Sequence, residues 1–176
     1  MMNRTQELKT VPAGRQDSRT QDIERFVIER PGVYGFKVVM NDKGEEKELL
    51  GVVVAETEGD YVINLLSEHK VGKTKCRVDV KGVVRGGARV KIKGLVKIAE
   101  GAKQSDSFLS MKLLLLDDKS MAVAEPELEI LNNEVKASHS ASVGRIDEEQ
   151  LFYLETRGIS RNEAENLIIK GFLGVK

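Results

Sequence analysis

Few side chains in this chain are suited to ligating a soft metal or acting as a nucleophile near neutral pH. They are two histidines, His69 and His139, and one cysteine, Cys76. A single cysteine rules out an internal disulfide and any cysteine-rich metal site built from one copy. His69 and Cys76 are seven residues apart, in a segment expected to bend at Gly72. They can approach each other, but nothing in the spacing requires it, and a packed thiol and a structural imidazole are the simpler readings. His139 shares a strand parity with Val135, Ala137, Ala141 and Val143, which suits a buried, hydrogen-bonded histidine unless the chain turns near Ser138. A neutral imidazole can also ligate a metal, but one histidine does not make a site by itself. No pair of histidines has zinc spacing, no G-x-x-x-x-G-K-[ST] loop is present to cradle ATP, and no nucleophile elbow occurs.

The elements that must position these residues are mostly strands. Aromatic residues are 5% of the chain and tryptophan is absent, so a core must come from Val, Ile, Leu and Ala, which suits stacked β layers. Residues 1–30 are expected to be a polar arm, frayed to about Arg19, and then a short helix over Thr20–Arg30 stopped by Pro31-Gly32. Residues 31–145 are expected to be the β core. Val33–Met40, Leu49–Ala55 and Tyr61–Leu66 are separated by turn signals at Asn41–Gly44 and Glu58–Asp60. Arg77–Val83 and Arg89–Ile98 alternate strictly, as do Glu127–Ile130 and Glu134–Ala137. Strands of three to six residues with Gly, Asn and Asp corners and no intervening helices point to a parallel β-helix, with an antiparallel sandwich as the alternative on pattern alone.

Charge is segregated. Ten Lys or Arg and one acid, Asp79, lie between Lys70 and Lys97, whereas six acids face Lys119 alone between Asp117 and Glu134. The basic stripe alternates with apolar residues and has no interleaved aromatics. A solvated sheet face, or one complementary to an acidic partner, is favoured over nucleic-acid binding. No apolar run approaches the roughly 20 residues of a membrane helix, and a cytoplasmic protein without membrane partners is expected.

Residues 146–176 read as two short helices. Asp147–Gln150 fits a capping box and opens a helix ended by Gly158. Ser160–Glu163 is a second box, with a stop expected at Gly171. So small a hairpin must dock on the β platform, on a partner, or on both.

The stretch Ser138-His-Ser-Ala-Ser-Val-Gly-Arg-Ile-Asp-Glu-Glu-Gln-Leu-Phe-Tyr-Leu-Glu-Thr-Arg-Gly-Ile159 closely resembles the C-terminal signature of the SufB/SufD family of Suf-system iron–sulfur cluster assembly proteins. Upstream, His69 with Thr74 and Lys81-Gly82-Val83 is similar to the family's histidine–threonine–lysine-glycine-valine stretch. Gly94, Ala102–Gln104, Leu114–Leu116, Ala122 and Pro126–Ile130 follow in the family's order. The resemblance runs from about His69 to Phe172.

The resemblance implies a right-handed parallel β-helix with a C-terminal helical hairpin, acting as a scaffold rather than an enzyme. It implies pairing through the β-helix with a SufB/SufD-like subunit, as a homodimer or a heterodimer, and docking of an ABC-type ATPase, SufC, on the hairpin. Asp147, Leu151, Phe152, Tyr153, Arg157, Leu167 and Ile168 are the candidate partner contacts. It nominates His139 as a ligand for iron or a transient iron–sulfur cluster. Three departures from the family pattern stand out, and the first, a kept histidine without the following glutamate, resembles the SufD-like version. Met111 and Ser140 stand where SufB carries a cysteine and a glutamate, Lys73 replaces a second histidine, and the chain is short at its N-terminal side. A thioether and a hydroxyl do not supply the charged ligands that bind iron strongly. The readings to be separated are therefore a Suf scaffold, a nucleic-acid-binding β protein using the Lys70–Lys97 stripe, and a solenoid without cluster chemistry.

Overall fold

A computed structural model describes residues 22–174. Nine strands run β1 (Asp22–Ile28), β2 (Gly32–Met40), β3 (Glu46–Ala55), β4 (Gly59–His69), β5 (Lys75–Val84), β6 (Ala88–Ile98), β7 (Asp106–Leu115), β8 (Met121–Ile130) and β9 (Lys136–Arg145). Two helices follow, α1 (Glu148–Glu155) and α2 (Arg161–Leu173). Odd strands form one sheet, in the order β1-β3-β5-β7-β9, and even strands the other, β2-β4-β6-β8. Every pairing is parallel. The chain alternates between the two sheets, and the result is the expected parallel β-helix, not the sandwich.

The inner stripe is legible rung by rung. In the five-stranded sheet Leu49, Val78 and Leu109 stack in register, as do Gly51, Val80 and Met111. Opposite them stand Tyr61 over Val90, Ile63 over Ile92 and His69 over Ile98. These side chains are at most 2% exposed, and burying each large apolar one contributes about 1.5–3 kcal/mol. The strands are 7–11 residues long, so the expected three to six residues is corrected. Alternation broken by Gly82 and Gly94 made them look shorter. Both glycines face inward where the sheets meet closely: a Cβ on Gly94 would lie 2.6 Å from Leu109 Cδ2.

The helix expected over Thr20–Arg30 is also corrected: its described part is strand β1. Ile23, Phe26 and Val27 do fit one face of a helix. Pairing with β3, however, satisfies the backbone and buries Phe26 and Ile28 at alternate positions, and tertiary packing overrides the local pattern. Phe26 and Phe36 stack with ring centroids 3.8 Å apart and close the core at the first rung. The ring of Phe26 lies on Gly51, where a Cβ would come within 2.2 Å of it. The polar arm, to about Arg19, lies outside the described residues.

The tail forms the hairpin. Asp147 caps α1 by accepting from the Glu149 N–H at 2.9 Å, a single cap and not a full box. Ser160 makes the complete capping box with Glu163. Gly171 lies inside α2, which ends at Gly174 with φ of 76°. Helix propensity tolerates one glycine near the end, and the left-handed position selects the later one. The hairpin docks on the platform: α2 packs on β5, and Leu151 and Ala164 are buried together with the outward-facing Val83 and Leu114. No helix among the described residues is long and apolar enough to cross a membrane.

Candidate functional site

Strand β9 is the last rung of its sheet, and this decides the standing of His139. Its parity is inward, in register on Leu109 and in line with Val78 and Leu49. Yet His139 is exposed, because no further coil among the described residues covers it. The expected buried histidine is corrected for that reason: parity was right, and the position in the stack reverses the burial. Ala141 and Val143 share the same open row, Val143 being 42% exposed. On the neighbouring sheet, β8 leaves the inward Leu128 and Ile130 part exposed. The end of the solenoid is therefore an uncapped cross-section of the core, rimmed by two strand edges whose outer backbone groups lack a neighbouring strand among the described residues.

Met111 lies on the inward face next to this row, one step from Leu109 and diagonal to His139. It is fully buried. Ser140 faces outward, in register on Ser110. The two positions that depart from the SufB pattern thus flank His139 in space, and neither offers a charged donor. No group of three His, Cys, Asp or Glu suited to a metal occurs among the described residues.

His69 and Cys76 are structural. His69 is fully buried; its Nδ1 is 2.7 Å from Thr74 Oγ1, which is 3.0 Å from Ser105 Oγ. Thr74 Oγ1 also lies 3.2 Å from the Val71 carbonyl oxygen. His69 Nε2 has no hydrogen-bond partner among the described residues. Burial pushes the imidazole pKa down to about 4 against a smaller opposing pull from Asp106, so the ring is neutral. Burial likewise pushes the Cys76 thiol up, keeping it protonated and inert.

The basic stripe meets its acids within the chain. Lys91 and Lys93 reach Glu125 at 2.7 and 3.7 Å, and Lys97 reaches Glu129 at 2.8 Å. Arg89 pairs with Asp60 at 2.7 Å, and Arg77 with Asp106 at 2.9 Å. The complementary acidic surface is the neighbouring coil, so the segregation along the sequence becomes charge alternation along the solenoid. A stripe so neutralised has little left for phosphates.

On the hairpin, Phe152, Tyr153 and Leu167 are 68%, 57% and 51% exposed. Arg157 is also exposed and lies 5.1 Å from the Tyr153 ring centre. Gly158, Ile159, Glu163, Asn166, Leu167 and Lys170 line a shallow groove. Ile168 is half-buried, and Asp147 serves as the cap. Leu151 is withdrawn from the exposed candidate contacts: at 1% exposure it is packed inside the hairpin region and is not available to a partner in this conformation. What sequence reading missed is the open row itself and the pairing of the β8 acids with the basic stripe. The alternation at Glu127–Ile130 marked a strand without marking it as the last of its sheet.

Residues 15–172 match the family described as SUF system FeS cluster assembly, SufBD core domain. The chain belongs to the SufBD family. That family is assigned to iron–sulfur cluster assembly. Among SufBD relatives, the chain is 38% identical to the iron–sulfur cluster assembly protein SufD of Escherichia coli over 105 residues, 60% of this chain and 25% of that protein. It is 32% identical to an iron–sulfur cluster assembly SufBD family protein of Mycobacterium tuberculosis over 136 residues, 77% of this chain and 16% of that protein. A Staphylococcus aureus SufBD family protein is 35% identical over 60% of this chain and 23% of its own length. The chain thus spans a quarter or less of these SufBD proteins.

Proposed function

We propose that this chain is a cytoplasmic, non-catalytic scaffold subunit of a Suf-type assembly complex. It pairs end to end through the open rung at β8 and β9 with a SufB/SufD-like subunit and presents its helical hairpin to a SufC-type ABC ATPase. The observation that carries the reading is the uncapped core row of His139, Ala141 and Val143 in a chain of the SufBD family. Bare strand edges beside exposed apolar side chains favour association with another edge. In such a pair His139 faces the partner's last rung, where further ligands for iron or a transient cluster can be contributed. The exposed Phe152, Tyr153 and Leu167 supply aromatic and apolar anchors for the ATPase. Movement of that ATPase would be transmitted through Leu151 and Ala164 to β5.

Capture of the ATPase by the full chain, and by the chain lacking residues 146–176, tests the docking role. Removing the hairpin bares Val83 and Leu114, so Phe152→Ala with Leu167→Ala in the full chain provides a folded comparison. Retention of binding by both variants would refute the role of the hairpin. A solenoid without cluster chemistry differs only at His139, and the iron measurement given in the Discussion separates the two.

A further inference from the structure

Buried polar side chains are not scattered through this core. Five of the seven among the described residues, Ser67, His69, Thr74, Ser105 and Ser107, gather with the Cys76 thiol at one corner. It is the corner where β4 ends and where β5 and β7 begin. The group forms two layers. In one, His69 meets Thr74 Oγ1 at 2.7 Å, which lies 3.0 Å from Ser105 Oγ. Two residues away along each strand, on the same inward faces, stand Ser67, Cys76 and Ser107. Cys76 and Ser107 are in register. Burial raises the Cys76 thiol pKa and the Ser67 hydroxyl draws it partly back, which puts those two side chains together across the core.

Three atoms of this corner have no hydrogen-bond partner among the described residues: Ser67 Oγ, Ser107 Oγ and His69 Nε2. Their residues are at most 3% exposed. A buried polar atom left unpaired lowers a folding constant by about five- to a hundredfold, so three in one place call for a shared partner. The side chains there are also small. Ser67 stands in a row between Val38 and Val96, and Ser107 between Cys76 and Ala137. No Lys, Arg, Asp or Glu is buried at the corner to balance an ion, and the thiol and imidazole are neutral, so the guest is neutral too. It must both donate and accept.

We propose that this corner is a binding site for an ordered internal water, held by Ser67 Oγ, Ser107 Oγ and His69 Nε2 and joining the two sheets across the core. A buried water typically makes about three hydrogen bonds, and it serves His69 Nε2 whichever ring nitrogen carries the proton. The bridge ties the end of β4 to the start of β7, where apolar contact is thinnest.

Oxygen-17 relaxation dispersion on the full chain tests this, because it detects waters held longer than molecular tumbling and is not mimicked by hydroxyl proton exchange. Wild type is expected to hold such a water, and Ser67→Ala with Ser107→Ala to hold about one fewer. Ser120→Ala removes a buried hydroxyl that the Gly87 N–H already satisfies at 3.1 Å, and it should leave the number unchanged. The paired substitution is also expected to lower the folding constant about ten- to a hundredfold, since His69 Nε2 loses its bridge. A wild type without a long-lived water would overturn the proposal, and that result needs no variant to fold. So would a paired variant that keeps every water, or one whose folding constant is unchanged or raised, as expected if the two hydroxyls were simply unpaired.

Discussion

His139 stands in register on Leu109, one exposed and one sealed, although both point the same way from the same sheet. The difference is only that Leu109 has a coil on either side. His139 therefore contributes little to holding the monomer together. His139→Ala is expected to change stability by no more than about 0.5 kcal/mol, read from denaturant unfolding. After anaerobic reconstitution of the paired complex with iron and sulfide, the same variant is expected to bind less iron. Equal iron in both proteins would remove His139 as a ligand.

His69 behaves in the opposite way. Its folded pKa, about 4, lies below the ordinary 6.5, so the unfolded chain takes up a proton that the folded chain refuses. The stability contributed by the neutral ring is complete above pH 6.5 and is lost as pH falls from there towards 4, a loss of about 2–3 kcal/mol. His69→Ala should cost about 2–4 kcal/mol at pH 7, through the cavity and the stranded Thr74. It should also flatten the dependence between pH 6.5 and 4. A slope unchanged by the substitution would assign that dependence to other groups.

Leu151 and Phe152 are adjacent, one buried and one bare, so under the proposed docking role substitutions at the two would separate hairpin packing from partner contact. Leu151→Ala is expected to weaken hairpin docking by about 2–5 kcal/mol, seen as faster amide exchange across α1 and α2 with the β core unaffected. Phe152→Ala should leave that exchange unchanged and weaken capture of the ATPase. Equal exchange in both variants would mean that the hairpin does not depend on Leu151.

Gly94 is opposed by Leu109 across the core, so any side chain there must displace a fully packed neighbour. Gly94→Val is expected to cost about 1–3 kcal/mol or more, measured as a fall in Tm. An unchanged Tm would show that the two sheets can separate locally at this coil.

The ion pairs that β6 makes with β8 and β4 leave few cations for nucleic acid. Neither single-stranded RNA nor duplex DNA is expected to bind at low salt in a gel-shift assay. Binding that weakened steeply with added salt would revive the nucleic-acid reading.

Local chemistry was legible where a rule depends on neighbours in sequence. Alternation gave the strand faces at Arg89–Ile98, and the Ser160–Glu163 box gave the start of α2. Properties set by what lies one coil away were not legible. Glu46 stacks on Lys75, Lys75 on Asp106 and Asp106 on Lys136, so the offset changes from coil to coil and blurs any repeat. For the same reason the acids that neutralise the basic stripe looked like a separate region. The exposure of His139 depends on β9 having no successor in its sheet, which alternation within β9 does not encode.

The stacked rings of Phe26 and Phe36 cover the core at the first rung, whereas the last rung leaves it bare. A rod adhesive at both ends would add copies without limit. One that is adhesive at a single end stops at two. In the end-to-end pair proposed above, the two aromatic rings would keep the core covered at the first described rung, and replacing them with small residues would bare a second apolar row able to add further copies.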